Sequence, residues 1–503
     1  MGVRTLSEAE PALPRSAPDA HADVLDSTAA GGRIVRGGVL RFVGYVLMVA
    51  LSVLSAALLT RHLGLGRFGR YTTVLSLVAI VAAVTDAGMS AVGTREFAVR
   101  GGAERDSLMS DLLGLRIALT AFGVVLVSGF ALAAGYAPAL FLGAVLASLG
   151  TIALVVQHTH TIPIGAELRL GTLSALELAR QALSVCAIVA LVLVGAGLLP
   201  LLAVVPAVNL ALIAPTAALA RGRISLRVGL HPRRWLGLLR LTVAYSLASA
   251  VGTLYIYAAQ IITSLVASER QSGLFAASFR IFIVAGGVSG LLASGALPLL
   301  ARAARDDRKR LGYALSRIFE VSLILGVAAA LATLAGAQFI VGVVAGPKFA
   351  AAAPVLQIQG LALIATFVLG GWSLALISLE RYAALVRANL AALLVSASLT
   401  VLLARSHGAQ GAALATVCGE SVLALATLSA LVRAAPKLRP RLGVLAKVAL
   451  ASLPAAALAL GPALPSLARM LLALGAYGLV ILLTRAVPRE VLELLPARLQ
   501  RVV

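Results

Sequence analysis

Acidic residues are scarce in this chain. Its 503 residues include 20 Asp and Glu against 42 Lys and Arg, and charged residues of both signs amount to 12%. There are two cysteines, Cys186 and Cys418, both inside apolar runs, so no disulfide framework or cysteine metal site is implied. His158 and His160 stand two apart in an expected loop, without the further ligands or the helical spacing that a metal needs. No GxxxxGK[ST] run is present, which excludes ATP hydrolysis by that route. Neither G-x-S-x-G nor HExxH occurs, and no paired acids stand out. No loop on the expected outer side is long enough to house a glycosyltransferase or polymerase centre. Catalysis is therefore not expected, and no cofactor is implied. The first thirty or so residues lack a hydrophobic region, so they read as neither a signal peptide nor a membrane span. Their Ala/Pro/Asp-rich composition fits a disordered cytoplasmic tail.

What remains is overwhelmingly apolar: 60% hydrophobic residues and a mean hydropathy of +1.00. Apolar runs of membrane-spanning length follow one another almost without pause, while the ten-residue alternating segments of a β-barrel are absent. The fold class is all-α, a polytopic membrane protein with about 14 transmembrane helices. The expected spans are 39–60, 72–94, 112–135, 139–157, 172–195, 199–220, 236–264, 274–300, 313–345, 352–378, 383–404, 409–432, 443–461 and 466–484. The ninth is too long for one pass and is expected to end near Gln338, with Phe339–Lys348 as an interfacial return. With a cytoplasmic N-terminus, the inner segments hold about 34 Lys and Arg and the outer loops about 7. That asymmetry places both termini inside and the chain in the plasma (inner) membrane. The net charge of +22 is then topology and attraction to anionic lipid, and no nucleic acid is expected as a partner. Arg61, Arg67 and Arg70 run against the rule by lying in the first outer turn. Either they have a local role or they snorkel to headgroups.

The halves repeat. Gly69-Arg-Tyr71 answers Gly273-Leu-Phe275, and GAELRLGTLSALELARQAL (165–183) echoes ISLERYAALVRANLAAL (377–393). Six spans per repeat give two pseudo-symmetric six-helix lobes of one orientation plus a C-terminal helix pair. The expected division is a tail, 1–33; an N-terminal lobe, 34–221; a cytoplasmic linker, 222–235; a C-terminal lobe, 236–433; and an accessory segment, 434–503.

Polar groups inside the apolar runs mark candidate sites. Span 7 carries Ser246, Ser249, Thr253, Tyr257, Gln260 and Ser264 at steps of three and four, and span 1 carries Arg41, Tyr45, Ser52 and Ser55. Both stripes could line one cavity between the lobes or serve as interhelical hydrogen bonds. Arg280 is expected about six residues, or ~9 Å, below the outer end of span 8. Asp86, on a long helix expected over Thr72–Thr94, suits an ion-coupling group or a structural ion pair. Glu177, Arg180, Glu320, Arg387 and Glu420 lie near helix ends and read as ordinary interfacial residues.

Over 61–98 the pattern R-x-L-G-x-x-x-F-G-x-Y … D-x-G … R-E is carried by Arg61, Gly64, Phe68, Gly69, Tyr71, Asp86, Gly88, Arg95 and Glu96. Gly273-Leu-Phe-Ala-Ala-Ser, Pro298, Leu356–Leu379 with Glu380-Arg381, and GAQGAALATVCGE (408–420) follow in order. In this order the chain resembles bacterial lipid-linked oligosaccharide flippases of the O-antigen and exopolysaccharide type. These belong to the multidrug/oligosaccharidyl-lipid/polysaccharide exporter superfamily, and the likeness covers most of residues 34–435. The resemblance implies a two-lobe transporter that alternates between inward- and outward-open states. Its cargo would be a polyprenyl-diphosphate-linked glycan, its lipid tail staying in the bilayer, with glycan polymerase and assembly proteins as partners. It also implies roles: Arg41, Arg95 and Arg280 for the diphosphate, Tyr257 and Gln260 for the sugar, and Ser52 beside them. A proton or sodium gradient, the membrane potential, or removal of product outside would set direction. Tyr257 and Gln260 stand where relatives often carry an acid. The lipid II flippase branch and the multidrug/cation antiporter branch share the fold and are the competing readings. The first carries more cavity arginines in spans 1 and 2, and the second favours an acidic cavity and twelve spans.

Overall fold

A computed structural model of the chain describes residues 28–86, 88–167, 169–223, 227–306, 308–436, 443–461 and 464–488. In order, the helices are α1 Thr28–Asp86, α2 Met89–Val99, α3 Gly102–Ala133, α4 Pro138–Ala166, α5 Leu170–Leu193, α6 Leu198–Leu219 and α7 Pro232–Val266. They continue with α8 Glu269–Asp306, α9 Arg308–Val344, a 3₁₀ turn Pro347–Ala352, α10 Ala353–Gly360, α11 Ala362–Ser378, α12 Tyr382–Ala434, α13 Gly443–Leu460 and α14 Ser466–Leu483. Among the described residues every regular element is helical. The chain forms two compact units, 1–48 and 49–503. The first contributes the beginning of α1, and every contact given below lies within the second.

Among the described residues eleven helices are long and apolar enough to cross a membrane, or twelve when α10 and α11, bent by 44°, count as one broken span. Two of them are far longer than one crossing: Val46–Asp86 has 41 residues and Tyr382–Ala434 has 53. Each is interrupted at one glycine. Gly64 has φ 69° and ψ −178°, and Gly408 has φ 55° and ψ −132°, regions that side chains with a Cβ avoid. At Gly408 the chain doubles back, because Gly411 packs directly on the backbone of Leu403 and Ala404, eight and seven residues earlier. In an uninterrupted helix these would stand ~10 Å or more apart. With both arms of α1 and of α12 counted, the described helices supply fourteen spans, in agreement with hydropathy.

Several boundaries differ from the sequence expectation. The helix expected over Thr72–Thr94 instead resumes directly after Gly64 and ends at Asp86, where Gly88 (φ 70°) starts the separate helix α2. Glycine and basic residues at 61–71 suggested an open turn, but one left-handed residue accomplishes the break. The ninth span does not stop near Gln338, since α9 runs on to Val344. Ala337, Val341 and Ala345 are buried, which rewards continuing the helix past the membrane limit. His158 and His160 lie in α4, and no group of metal-binding residues occurs among the described residues.

Small residues let helices approach closely. On α4, a Cβ at Gly150 would come within 2.8 Å of the Pro206 Cα on α6, so that contact is backbone against backbone. The last two helices join the core of the second half: Tyr477 and Ile481 pack with Leu323 and Val327, and the Tyr477 hydroxyl donates to the Ile324 carbonyl at 3.1 Å. Arg469 Nε donates to the Ala335 carbonyl at 3.3 Å.

Candidate functional site

The first and second halves meet where the sequence places two glycine-aromatic turns. A Cβ on Gly69 would lie 2.9 Å from the Gly273 nitrogen, and Gly273 packs directly on the Leu65 carbonyl. Around this contact, Thr60 Oγ1 donates to the Val344 carbonyl at 3.4 Å and Arg61 Nη2 to the Val343 carbonyl at 3.1 Å. The Phe68 ring meets Phe349 edge to face at 5.9 Å. Arg70 forms an ion pair with Glu269. Two of the three arginines in the first outer turn therefore clasp the second half. Behind them Gln260 is fully buried: its Nε2 donates to Thr73 Oγ1 at 3.3 Å and to Ser272 Oγ at 3.2 Å. Its Oε1 is buried without a hydrogen-bond partner.

Arg280 lies two turns further along α8. Its Nη2 donates to Ser52 Oγ at 2.7 Å, joining α8 to the first arm of α1. Its charge also acts on the hydroxyls of Tyr71 and Tyr257. Among the described residues no carboxylate pairs with it. Because α8 begins at Glu269, Arg280 lies eleven residues in, or ~16 Å along the axis. That is deeper than the ~9 Å expected when the span was taken to begin at 274. An unpaired cation near half the depth of a ~30 Å apolar layer costs at least ~2.5 kcal/mol unless water or an anion meets it. The Ser52 hydroxyl is its hydrogen-bond partner across the two halves.

A second polar centre lies within the first half. Arg116 on α3 is fully buried, and its Nη2 meets Asp86 Oδ1 at 2.7 Å and Ser90 Oγ at 2.6 Å. Its Nη1 donates to Thr159 Oγ1 at 3.1 Å, and Ser90 Oγ donates to Asp86 Oδ1 at 2.5 Å. Asp86 closes the last turn of α1, so the helix break at Gly88 brings Ser90 back to its carboxylate. Alongside, Arg180 Nη2 donates to Gln157 Oε1 at 2.6 Å, and Gln157 Nε2 donates to Thr216 Oγ1 at 3.3 Å. The network thus ties together α1 to α6.

The second half holds a cavity of about 330 Å³ between α7, α8, α11 and α12. Its walls include Phe279, Phe282, Ile283 and Leu423, with Glu420, Tyr255, Asn389, Thr366 and Ser396 as polar members. Glu420 is buried and accepts hydrogen bonds from Tyr255 Oη at 2.9 Å and Thr366 Oγ1 at 2.8 Å. This corrects its reading as an interfacial residue. It stands near the middle of the span expected over 409–432, fourteen residues before the helix ends at Ala434.

Fourteen spans whose halves touch through paired glycines are a layout that can be compared with solved structures. No protein-family model matches the chain, and no curated protein matches it in sequence. The structure titled lipid II flippase MurJ, inward closed conformation, matches with a TM-score of 0.76 at 12% identity, over 89% of this chain and 99% of that one. An inward-facing multidrug resistance MATE transporter of the MOP superfamily gives 0.61 at 14% identity over 78% and 94%. The MATE multidrug transporter DinF-BH gives 0.61 at 13% identity over 82% and 97%. The chain has the MOP-type transporter fold.

Within that MOP-type fold, the residues expected to act fall into separate places. Arg280 and Ser52 come together, and Tyr257 and Tyr71 lie within electrostatic range of Arg280. Gln260 is sealed in the contact between halves, so a role toward sugar requires that contact to part. Asp86 is in an ion pair with Arg116, which sequence reasoning overlooked because it was counted among the basic residues at an inner membrane edge. Its place within LLGLRIALT, flanked by apolar residues on both sides, was the available signal. Arg95 is exposed on α2, away from Arg280 in the fold's contacts. The Arg41 side chain lies outside the described residues. A further pairing was not anticipated: Asp111, buried on α3, accepts from His231 Nδ1 at 2.6 Å and Arg234 Nη1 at 3.4 Å. It fastens the segment between the halves to the first half.

Proposed function

We propose that this protein is a flippase carrying a polyprenyl-diphosphate-linked oligosaccharide from the cytoplasmic to the outer leaflet by alternating access, for cell-surface polysaccharide synthesis. The observation that carries the reading is Arg280: a guanidinium eleven residues into a helix apolar enough to cross a membrane, without an acidic partner among the described residues and hydrogen-bonded to Ser52 of the first half. A diphosphate is the chemical group for which such a site is suited, through charge-assisted and bidentate hydrogen bonds. A sugar head bearing two phosphates cannot cross hydrocarbon unaided, because its charges and hydroxyls would lose their water. Between the halves, the hydroxyls of Ser52, Tyr71 and Tyr257 would replace some of that water. Arg41 and Arg95 are proposed as further phosphate contacts in other states of the cycle, and Gln260 as a sugar contact when the halves separate. Glu420, the buried acid of the second half, is the proposed place for coupling to a proton or sodium gradient.

A lipid II cargo is the second reading. It is favoured by the MurJ likeness, which extends over 99% of that chain. Both cargoes share the polyprenyl diphosphate and differ in the glycan.

The test depletes the protein in cells and reads lipid-linked glycan and its leaflet with an impermeant probe of the sugar head. Accumulation on the cytoplasmic face, cleared by the wild type and by Arg280→Lys at reduced rate but not by Arg280→Ala, supports the reading. The mass of the accumulated glycan distinguishes oligosaccharide from lipid II. A normal pool with normal sidedness, accompanied by retention of organic cations, overturns it in favour of antiport.

A further inference from the structure

The two arms of α12 separate at the end opposite Gly408 and leave a groove of about 380 Å³. Its charged members are Arg381, Arg387 and Arg433, and no acidic residue lines it. Its floor is made of alanines, among them Ala384, Ala388 and Ala430, so the space exists because these side chains end at Cβ. Arg381 directly precedes α12 and Arg433 lies in its last turn, which places all three guanidinium groups at one level of the bundle. Arg387 Nε donates to the Ala383 carbonyl at 3.3 Å, leaving both Nη groups for a ligand. Three cations converging on one groove repel one another, and an anion among them removes that cost.

We propose that this groove binds the phosphate headgroup of an anionic phospholipid in the inner leaflet. The charge asymmetry of the chain assigns this end of α12 to the cytoplasmic side, where anionic lipid is attracted to basic clefts between spans. The choice of a lipid over a soluble phosphate rests on what lies above the groove. Leu390 and Leu394 follow Arg387 by three and seven residues, so they continue its face of the helix toward the membrane interior. They are 44% and 60% exposed. Head and tail are thus offered consecutive surfaces, basic and then apolar, on one helix. The site is separate from Arg280 and does not depend on which cargo is moved.

The experiment is native mass spectrometry of the delipidated full-length protein titrated with phosphatidylglycerol or phosphatidylcholine. Phosphatidylglycerol should bind at least tenfold more tightly. Each Arg→Gln change at 381, 387 and 433 should weaken it about fivefold, and all three together about a hundredfold. Arg240→Gln, a matched loss of an exposed inner charge, should change nothing. Ala430→Leu fills the groove without altering charge and should also weaken binding, so the proposal stays testable should the triple variant fail to fold. Equal binding of both lipids, full binding by Ala430→Leu, or displacement of phosphatidylglycerol by excess inorganic phosphate would each overturn it. The last outcome would make the groove a soluble-anion site.

Discussion

Replacing Asp86 by Asn should leave Arg116 as a buried charge without its counter-ion. The Arg116 side chain is 1% exposed and the Asp86 side chain 41%, so one partner is sealed and the other partly hydrated. Removing one member of a buried pair costs about 3–5 kcal/mol, and partial hydration of Asp86 lowers this to about 2–3 kcal/mol. Converting Arg116 to Met as well removes the stranded charge, so the double variant should recover much of the loss. The pairwise coupling should be about 2 kcal/mol. The assay is detergent-driven unfolding in mixed micelles, followed by tryptophan fluorescence. The chain has two tryptophans, Trp235 and Trp372, and Trp235 packs on Gly114, two residues from Arg116. Its emission therefore reports on α3 near the pair. The reasoning fails if Asp86→Asn leaves the midpoint unmoved, or if the cycle gives a coupling under about 0.5 kcal/mol, the level of independent sites.

Three further outcomes follow from the geometry. Gly64→Ala should destabilise by about 1–3 kcal/mol in the same assay through backbone strain alone, since no neighbouring atom would meet the new Cβ. Gly273→Ala places a methyl against the Leu65 carbonyl and should loosen the contact between halves, measured as faster labelling of a cysteine introduced at Thr73; unchanged labelling would contradict it. Glu420→Gln keeps the shape of the buried cavity while removing its acid, so transport should lose its dependence on an ion gradient while cargo binding persists. Retained gradient dependence would exclude Glu420 as the coupling group.

Hydropathy made the fourteen spans legible because a ~30 Å layer imposes a length that each run must meet. Ser52 and Arg280 were each singled out, one on the polar stripe of span 1 and the other as an arginine inside span 8, but nothing in the periodicity of either helix says that they meet. Arg116 was not, since charge counting assigns a residue to a membrane edge by its distance from neighbouring charges, and Arg116 lies four residues into the expected span. Glu420 was misplaced for a different reason: it was read as interfacial although it stands near the middle of the span expected over 409–432. The burial of Gln260 was beyond reach of periodicity, because the stripe on α7 is the same whether it faces a cavity or Thr73 of the other half.

The unpaired Oε1 of Gln260 bears on how firmly the halves hold together. A buried acceptor left without a donor costs about 1–3 kcal/mol, which water would return as soon as the contact opened. The contact between halves thus carries a built-in debit at its centre, set against the Arg70–Glu269 pair and the edge-to-face Phe68–Phe349 contact at its rim. If the halves part during transport, a ligand that prefers the parted form by a similar margin would be enough to shift such a junction.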